Sequence, residues 1–377
     1  MSSRVAFLMS GLGVVERGAE AFVVELAGAL VERGFEVTTL GRGERPAMHP
    51  AVKHRRVSAL RRDHPLMRAV YRLKLCRKVL DTLWLDPLSV EWATASLAAL
   101  PHLWRARYDL LVMEGGLMGA RLARALRRFR GTPFVDIAHG NSPKWERAFA
   151  RQGPNRVVAF TEAAERMIAD AAPKARIEVI PHGVDLAAFR PGLDSVDTGL
   201  GRPVVMTAGA VDSHKRIDRT RAAVRELHRR GKPASLLVLG DGPEAPALDE
   251  AAHSLGPTRY LRRTVPRDEM PRWYAAADVL TLPSISESFG LAYLEAMASG
   301  LPCVAPDDAV RREVIGEAGR FADPEDTAAY ADALAEALEH DWQGLPRRRA
   351  EGFSAEATAD AYARLFKQII DETRRKG

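Results

Sequence analysis

Cysteine is almost missing from the 377 residues: only Cys76 and Cys303 occur, far apart and outside any Cys-x-x-Cys. That excludes a disulfide framework and a cysteine zinc site, and it fits a reducing, cytoplasmic compartment. No apolar run reaches the roughly 18 residues needed to span a bilayer, because the longest candidate, from Ala21 to Val31, is broken by Glu25. A signal peptide is not expected either, since Gly11 and Gly13 interrupt the apolar stretch after Arg4 and no small-residue cleavage site follows. There is no Asp-x-Asp, no His-x3-His and no Gly-x-Ser-x-Gly. Neither a bound metal nor a nucleophilic serine elbow is therefore expected, and no cofactor is called for.

What is present is the composition of a folded protein, 46% hydrophobic and 28% charged, long enough for two or three domains. The net charge of +6 is unevenly spread. Residues 1–195 carry 30 Lys/Arg against 20 Asp/Glu, and the rest carry 25 against 29. The surplus concentrates between Lys53 and Lys78, where Leu66, Val70, Tyr71 and Leu73 are interspersed among the cations. This stretch reads as an ordinary helix with its apolar side on the core; peripheral contact with an anionic membrane, on the inner face, is the alternative. Nucleic-acid binding would follow from charge alone and is not expected.

Periodicity places a strand at Val5–Met9, a glycine-rich turn, a helix at about Ala19–Glu32 and a strand at Phe35–Leu40. After the basic stretch, residues 50–107, strands resume near 110–113, 134–138, 157–160 and 177–180. A second series begins at Val204–Ala208 and runs through Ser235–Leu239, Val279–Leu282 and Cys303–Ala305 with helices between. The chain thus reads as α/β, two Rossmann-like doubly wound domains facing across a cleft. The expected boundaries are 1–184, 185–355 and a C-terminal helix, 356–377, packing back on the N-terminal domain. Open parallel sheets bind ligands beyond the carboxyl ends of their strands, so function is expected there.

Gly11-Leu12-Gly13 invites a dinucleotide reading, but Glu16 stands where the third glycine belongs and the second strand ends without a ribose-binding acid. The stronger signal is Ser284-Ile285-Ser286-Glu287-Ser288-Phe289-Gly290-Leu291-Ala292-Tyr293-Leu294-Glu295. A strand ends at Pro283, a small-residue loop follows and Gly290 opens a helix, so backbone amides near Gly290 and Leu291 lack helical partners and suit a phosphate. Glu295 lies one turn beyond Leu291 among apolar neighbours, where a carboxylate needs partners; two vicinal ribose hydroxyls would serve. Either glutamate alone would more often be structural.

The run from Glu287 to Glu295, continued by Ala296 to Ala305, resembles the Glu-x7-Glu motif of retaining glycosyltransferases of the GT-B fold, in particular glycosyltransferase family 4. Further segments look like that family in the right order: Gly18-Ala19-Glu20 with its helix, Pro181-His182-Gly183-Val184-Asp185, Gly240-Asp241-Gly242-Pro243, and Tyr274 with Ala277-Asp278-Val279. His139, after the strand ending at Ala138, matches a histidine that in the family lies near the donor sugar. Lys215 sits where the family places a phosphate-binding lysine, and Ala210 stands where it has an arginine.

The resemblance implies transfer of a sugar from a nucleotide-diphosphate donor, UDP favoured, to a glycan, lipid-linked or small-molecule acceptor, with retention. It assigns catalytic roles to His139, Lys215 and Glu287, and donor contacts to Gly18, Gly209, Lys215, Gly242, Glu287, Phe289, Gly290, Leu291 and Glu295. Lys215 would offset the diphosphate and the departing nucleotide. Arg216 is the candidate to replace the missing arginine. Two other readings stay open: a nucleotide-sugar epimerase of the same fold, and a nonenzymatic sugar-binding subunit suggested by Ala210.

Overall fold

Short apolar runs without polar alternation become parallel strands covered on both faces, and two such sheets form. The computed structural model describes residues 2–15, 18–62, 64–65, 86–114, 116–139, 142–256 and 258–375. These fall into two compact units, one of Met1–Phe160, Ala164–Ile180 and Ala359–Gly377, the other of Thr161–Ala163 and Pro181–Thr358. Most of the basic stretch, and Cys76 with it, lies outside the described residues. No described helix is long and apolar enough to cross a membrane.

Among the described residues the first unit holds seven strands, β1 (Arg4–Leu8), β2 (Glu36–Gly41), β3 (Lys53–Arg56), β4 (Leu110–Met113), β5 (Phe134–Ile137), β6 (Arg156–Ala159) and β7 (Ile177–Val179). They are all parallel, in the order β3-β2-β1-β4-β5-β6-β7. Strand order therefore reverses between β1 and β4, where Val5 pairs with Leu110 and Leu8 with Met113. β3 was not anticipated. Its sequence, Lys-His-Arg-Arg, has no apolar face because it is an edge strand, and charge on an edge discourages pairing with other chains. Helix Pro87–Ala106 was likewise hidden in the basic stretch; Asp86 caps it, accepting from Leu88 N and Ser89 N at 3.0 Å each. The final helix, Ala355–Arg374, returns aromatic rings to this unit: Tyr362 lies 5.7 Å from Phe22, and Phe366 6.4 Å from Phe7. Glu372 of that helix accepts from Arg156 at 3.1 Å.

The second unit repeats the plan with β8 (Val204–Ala208), β9 (Ser235–Leu239), β10 (Tyr260–Arg263), β11 (Val279–Thr281), β12 (Cys303–Ala305) and β13 (Gly319–Phe321), in the order β10-β9-β8-β11-β12-β13. All pairs are parallel. Val205, Leu236, Val238, Val279 and Val304 form its core with Val224 and Leu227 of helix Ile217–Arg229 and Tyr330 and Leu334 of helix Thr327–Glu339. The order reverses between β8 and β11, so the loops that follow these two strands are where a ligand belongs.

Candidate active site

In the second unit those loops are stitched together. After β8 the chain turns at Asp212, whose Oδ1 accepts from His214 N at 3.1 Å and Lys215 N at 3.0 Å. After β11 the loop returns to it: Ile285 N donates to His214 O at 2.9 Å, and His214 Nε2 lies 3.0 Å from Ser286 O. This brings Lys215 Nζ to 2.6 Å from Glu287 Oε1, with the side chains only 23% and 12% exposed. Ser284 Oγ donates to the same carboxylate oxygen at 2.6 Å. The two residues, 72 apart in sequence, thus meet at the switch point of the sheet.

Gly290 then opens helix Leu291–Ala298 with φ +91°, a left-handed conformation in which a Cβ would also press on the Tyr293 ring. No side chain caps this start. Glu295, 4% exposed, is held on the same helix by Arg267 Nη1 at 2.5 Å and by the Tyr274 hydroxyl, which donates at 2.8 Å. Its buried carboxylate is therefore satisfied within the protein, as burial of a charge requires. Burial, with Glu295 alongside, holds the Tyr274 proton well above the usual phenol range. Gly209 and Gly242 lie in loops that touch backbone to backbone: a Cβ on Gly242 would meet Val211 O, and one on Gly240 would meet Gly209 O.

The first unit collects a different chemistry. Beyond β5, His139 packs its ring 5.2 Å from Phe160 and 5.6 Å from Phe22, and its Nε2 lies 3.3 Å from Glu114 Oε1 at the end of β4. Asp136 and Glu146, 5% and 2% exposed, share this interior. Burial, then the charge of Glu114, pushes Asp136 up to about 8; burial, then Asp136, pushes Glu146 up to about 9. Burial also raises Glu114, against the pull of His139. Burial lowers His139, but Glu114, Asp136 and Glu20 together outweigh it and the net shift is upward.

The family model for glycosyl transferases group 1 matches residues 202–340, and that for glycosyltransferase family 4 matches residues 17–188. A D-inositol 3-phosphate glycosyltransferase of Frankia alni is 32% identical over 307 residues, 70% of this chain and 75% of its own. The chain belongs to glycosyltransferase family 4. The namesake protein of Nocardia farcinica is 34% identical over 273 residues, 63% of this chain, and the chain spans 58% of its length. Sucrose-phosphate synthase of Thermosynechococcus elongatus superposes with a TM-score of 0.78 at 21% identity, over 98% of this chain and 100% of that one, which shows the shared GT-B fold.

Within this family 4 chain the expected site residues are distributed over both units. Lys215 and Glu287 touch, and Gly290, Leu291 and Glu295 follow on the adjoining helix. Gly18 opens helix Gly18–Glu32 in the first unit, as His139 follows β5 there. Phe289 is 1% exposed, its ring 5.3 Å from His182 and 5.7 Å from Phe353, so it anchors the loop and offers no side-chain face to a ligand. Arg216 does not stand in for the arginine that Ala210 replaces: its Nε donates to Pro283 O at 2.8 Å and its Nη1 to Glu325 at 2.8 Å. Arg311 was not foreseen. It is 1% exposed and donates to Ser284 O at 2.6 Å and Ser284 Oγ at 2.9 Å, one bond removed from Glu287. Nothing in the Ala309–Ile315 segment marks that arginine as buried, except Asp308 three residues earlier, which caps the helix and pairs with it.

The carboxyl cluster makes a pH prediction. Asp136 and Glu146 have folded-state pKa values above their ordinary ones, so the folded chain holds more protons than the unfolded chain between those limits. Stability then falls as pH rises from about 4 to about 9 and is greatest below that window. Thermal melts of the Asp136→Asn and Glu146→Gln variants should show a flatter decline of Tm with pH than the parent; an unchanged slope would mean these groups ionise freely.

Proposed function

We propose that the chain transfers a sugar, with retention of anomeric configuration, from a nucleotide-diphosphate sugar, UDP favoured, to a phosphorylated polyol. The contact of Lys215 with Glu287 at the switch point, directly ahead of an uncapped helix, carries the reading. A diphosphate entering there would compete with Glu287 for the ammonium, and its oxygens would take the open amides at Gly290 and Leu291. Released from Lys215, the Glu287 carboxylate would accept from hydroxyls of the donor sugar. As the bond to phosphate breaks, Lys215 and the amides stabilise the departing anion, which is the charge that develops in the transition state. Glu295 would bind the ribose once its bonds to Arg267 and Tyr274 make room, and Gly209 and Gly242 keep side chains out of the adjoining loops. His139, paired with Glu114, is assigned to the sugar or acceptor. The D-inositol 3-phosphate named for the relatives supports a phosphorylated polyol as acceptor.

NMR of UDP-, GDP-, ADP- and dTDP-sugars, incubated with and without inositol 3-phosphate, tests this. The expected result is an axial-to-axial or equatorial-to-equatorial glycoside that appears only when acceptor is present. An isomerised nucleotide sugar without acceptor would establish the epimerase reading, and no turnover of any donor would favour a nonenzymatic subunit.

A further inference from the structure

Glu114 stands at the switch point of the first sheet, just past the carboxyl end of β4. Its N donates to Leu8 O at 2.9 Å, which carries the pairing of β1 with β4 one residue beyond Met113 and fixes the backbone there. The side chain, 6% exposed, brings Oε1 to 3.3 Å from His139 Nε2. His139 is anchored just beyond β5: Ala138 N donates to Val158 O at 2.9 Å, and His139 N to Ile137 O at 3.0 Å. Its ring closes a triangle with Phe22 and Phe160, whose own centroids lie 5.9 Å apart. A ring packed this closely turns only if its neighbours move, and the partner of one imidazole nitrogen decides what the other nitrogen can do.

Burial works against a charge on His139; Glu114 leads the acids that oppose it, ahead of Asp136 on β5 and Glu20 on helix Gly18–Glu32. The other groups around Glu114 do not compete with it. Asp136 is pushed up to about 8 and Glu146, on helix Pro143–Ala150, up to about 9, so both hold protons in neutral solution. Burial likewise keeps the Tyr362 phenol of the last helix protonated. One carboxylate and one imidazole are left to share the charge of this interior.

We propose that Glu114 is a positioning residue of the transfer reaction: from the end of β4 it fixes the His139 ring and keeps a proton on Nε2, so that the imidazole meets the sugar or acceptor as a cation in one orientation. The role rests on the assignment of His139 in the proposed reaction, while the pairing stands on the contact itself. A charged imidazole is the stronger hydrogen-bond donor. Paired with Glu114 it is neutral overall, so it adds no net positive charge beside a sugar that itself turns cationic as its bond to phosphate breaks.

Imidazole 15N spectra and pH profiles of kcat/KM, recorded on the full chain, test this with Glu114→Gln, Asp136→Asn and the double variant; the His139 signal is the one that disappears in His139→Gln. Glutamine keeps the size of the side chain and an oxygen that accepts from Nε2, but loses the charge. Asp136, relieved of that charge, can ionise in its place, which is why the double variant is included. The parent ring should lose its proton at higher pH than an ordinary histidine. The titration should move down in Glu114→Gln, further in the double variant, and less in Asp136→Asn. At neutral pH kcat/KM should fall about ten- to a hundredfold in Glu114→Gln, the scale of losing one charged partner behind a functional group. Because the protonated ring is the active form, the alkaline decline of kcat/KM should shift to lower pH together with the titration. A ring that titrates in Glu114→Gln as in the parent, a parental kcat/KM, an equal effect of Asp136→Asn, or a loss that follows Tm across the variants with the alkaline decline unmoved would each overturn the role. A parent that transfers no sugar from any donor sinks the proposed reaction and the role with it; the spectra need no substrate and still report whether the pair exists, so the two failures are told apart.

Discussion

Lys215→Ala is expected to lower kcat/KM for sugar transfer by roughly 10²- to 10³-fold, the usual consequence of removing one preorganised group that meets charge as it develops on a leaving anion. Two effects oppose each other in this variant. Loss of the ammonium removes a cation from the diphosphate, but it also frees Glu287, now held at 2.6 Å, to reach the sugar without competition. The first must win, because the freed carboxylate adds negative charge where the diphosphate has to sit, and Glu287 is only 12% exposed, so water screens that repulsion poorly. Stability should fall only modestly: Ser284 Oγ still donates to Glu287, and the Asp212 turn that shapes the loop uses only the backbone of residue 215. Steady-state kinetics with calorimetric titration of the donor gives the check. Unchanged donor affinity and unchanged kcat would show that the diphosphate does not meet this lysine. Arginine at 215 should not restore the rate, since the aliphatic stem that passes Gly209 ends here in a compact ammonium, and a planar fork would displace the Ser284–Glu287 contact.

The reason this lysine and this glutamate can be picked out of a bare sequence is local. Each follows a strand whose apolar run is unmistakable, each sits in a loop of small residues, and glycine or proline marks where the loop must turn. The second unit was legible for that reason: Val204–Ala208, Ser235–Leu239 and Cys303–Ala305 lie where the apolar runs put them. In the first unit β3 carries no apolar residue, so only its neighbour β2 reveals it as a strand. Partners that arrive from distant elements are similarly silent. A buried carboxylate at 295 was expected to await ribose hydroxyls, yet Arg267 and Tyr274, from a segment with no motif of its own, already hold it. Asp136 did leave a trace, an acid in the middle of the Phe-Val-Asp-Ile run of β5, but its meaning depends on Glu114 and Glu146, which reach the same interior from other elements.

Arg311→Met is expected to reduce activity by about tenfold or more and to cost roughly 1–3 kcal/mol of stability. The arginine is 1% exposed, so its charge is justified by its bonds: two to Ser284 and an ion pair with Asp308. Methionine has a similar reach and fills the space, which recovers part of the packing. Asp308 is 40% exposed and returns to water, while its cap on Arg311 N is a backbone bond that survives the change. The residual cost is the Ser284 carbonyl, buried and without its donor, hence a penalty at the scale of one unsatisfied group, well short of a broken buried ion pair. Activity should suffer for a different reason. Ser284 Oγ orients Glu287, and Arg311 fixes both the carbonyl and the hydroxyl of Ser284, so its removal lets the carboxylate swing while leaving Lys215 in place. A loss concentrated in kcat, with donor KM little altered, is the expected signature, because the diphosphate contacts persist and only the sugar side is loosened. Arg311→Lys should recover the stability more than the rate: an ammonium can reach one oxygen of Ser284 but cannot span carbonyl and hydroxyl together. Equal losses in kcat and in thermal stability across both variants would mean that Arg311 only holds the fold.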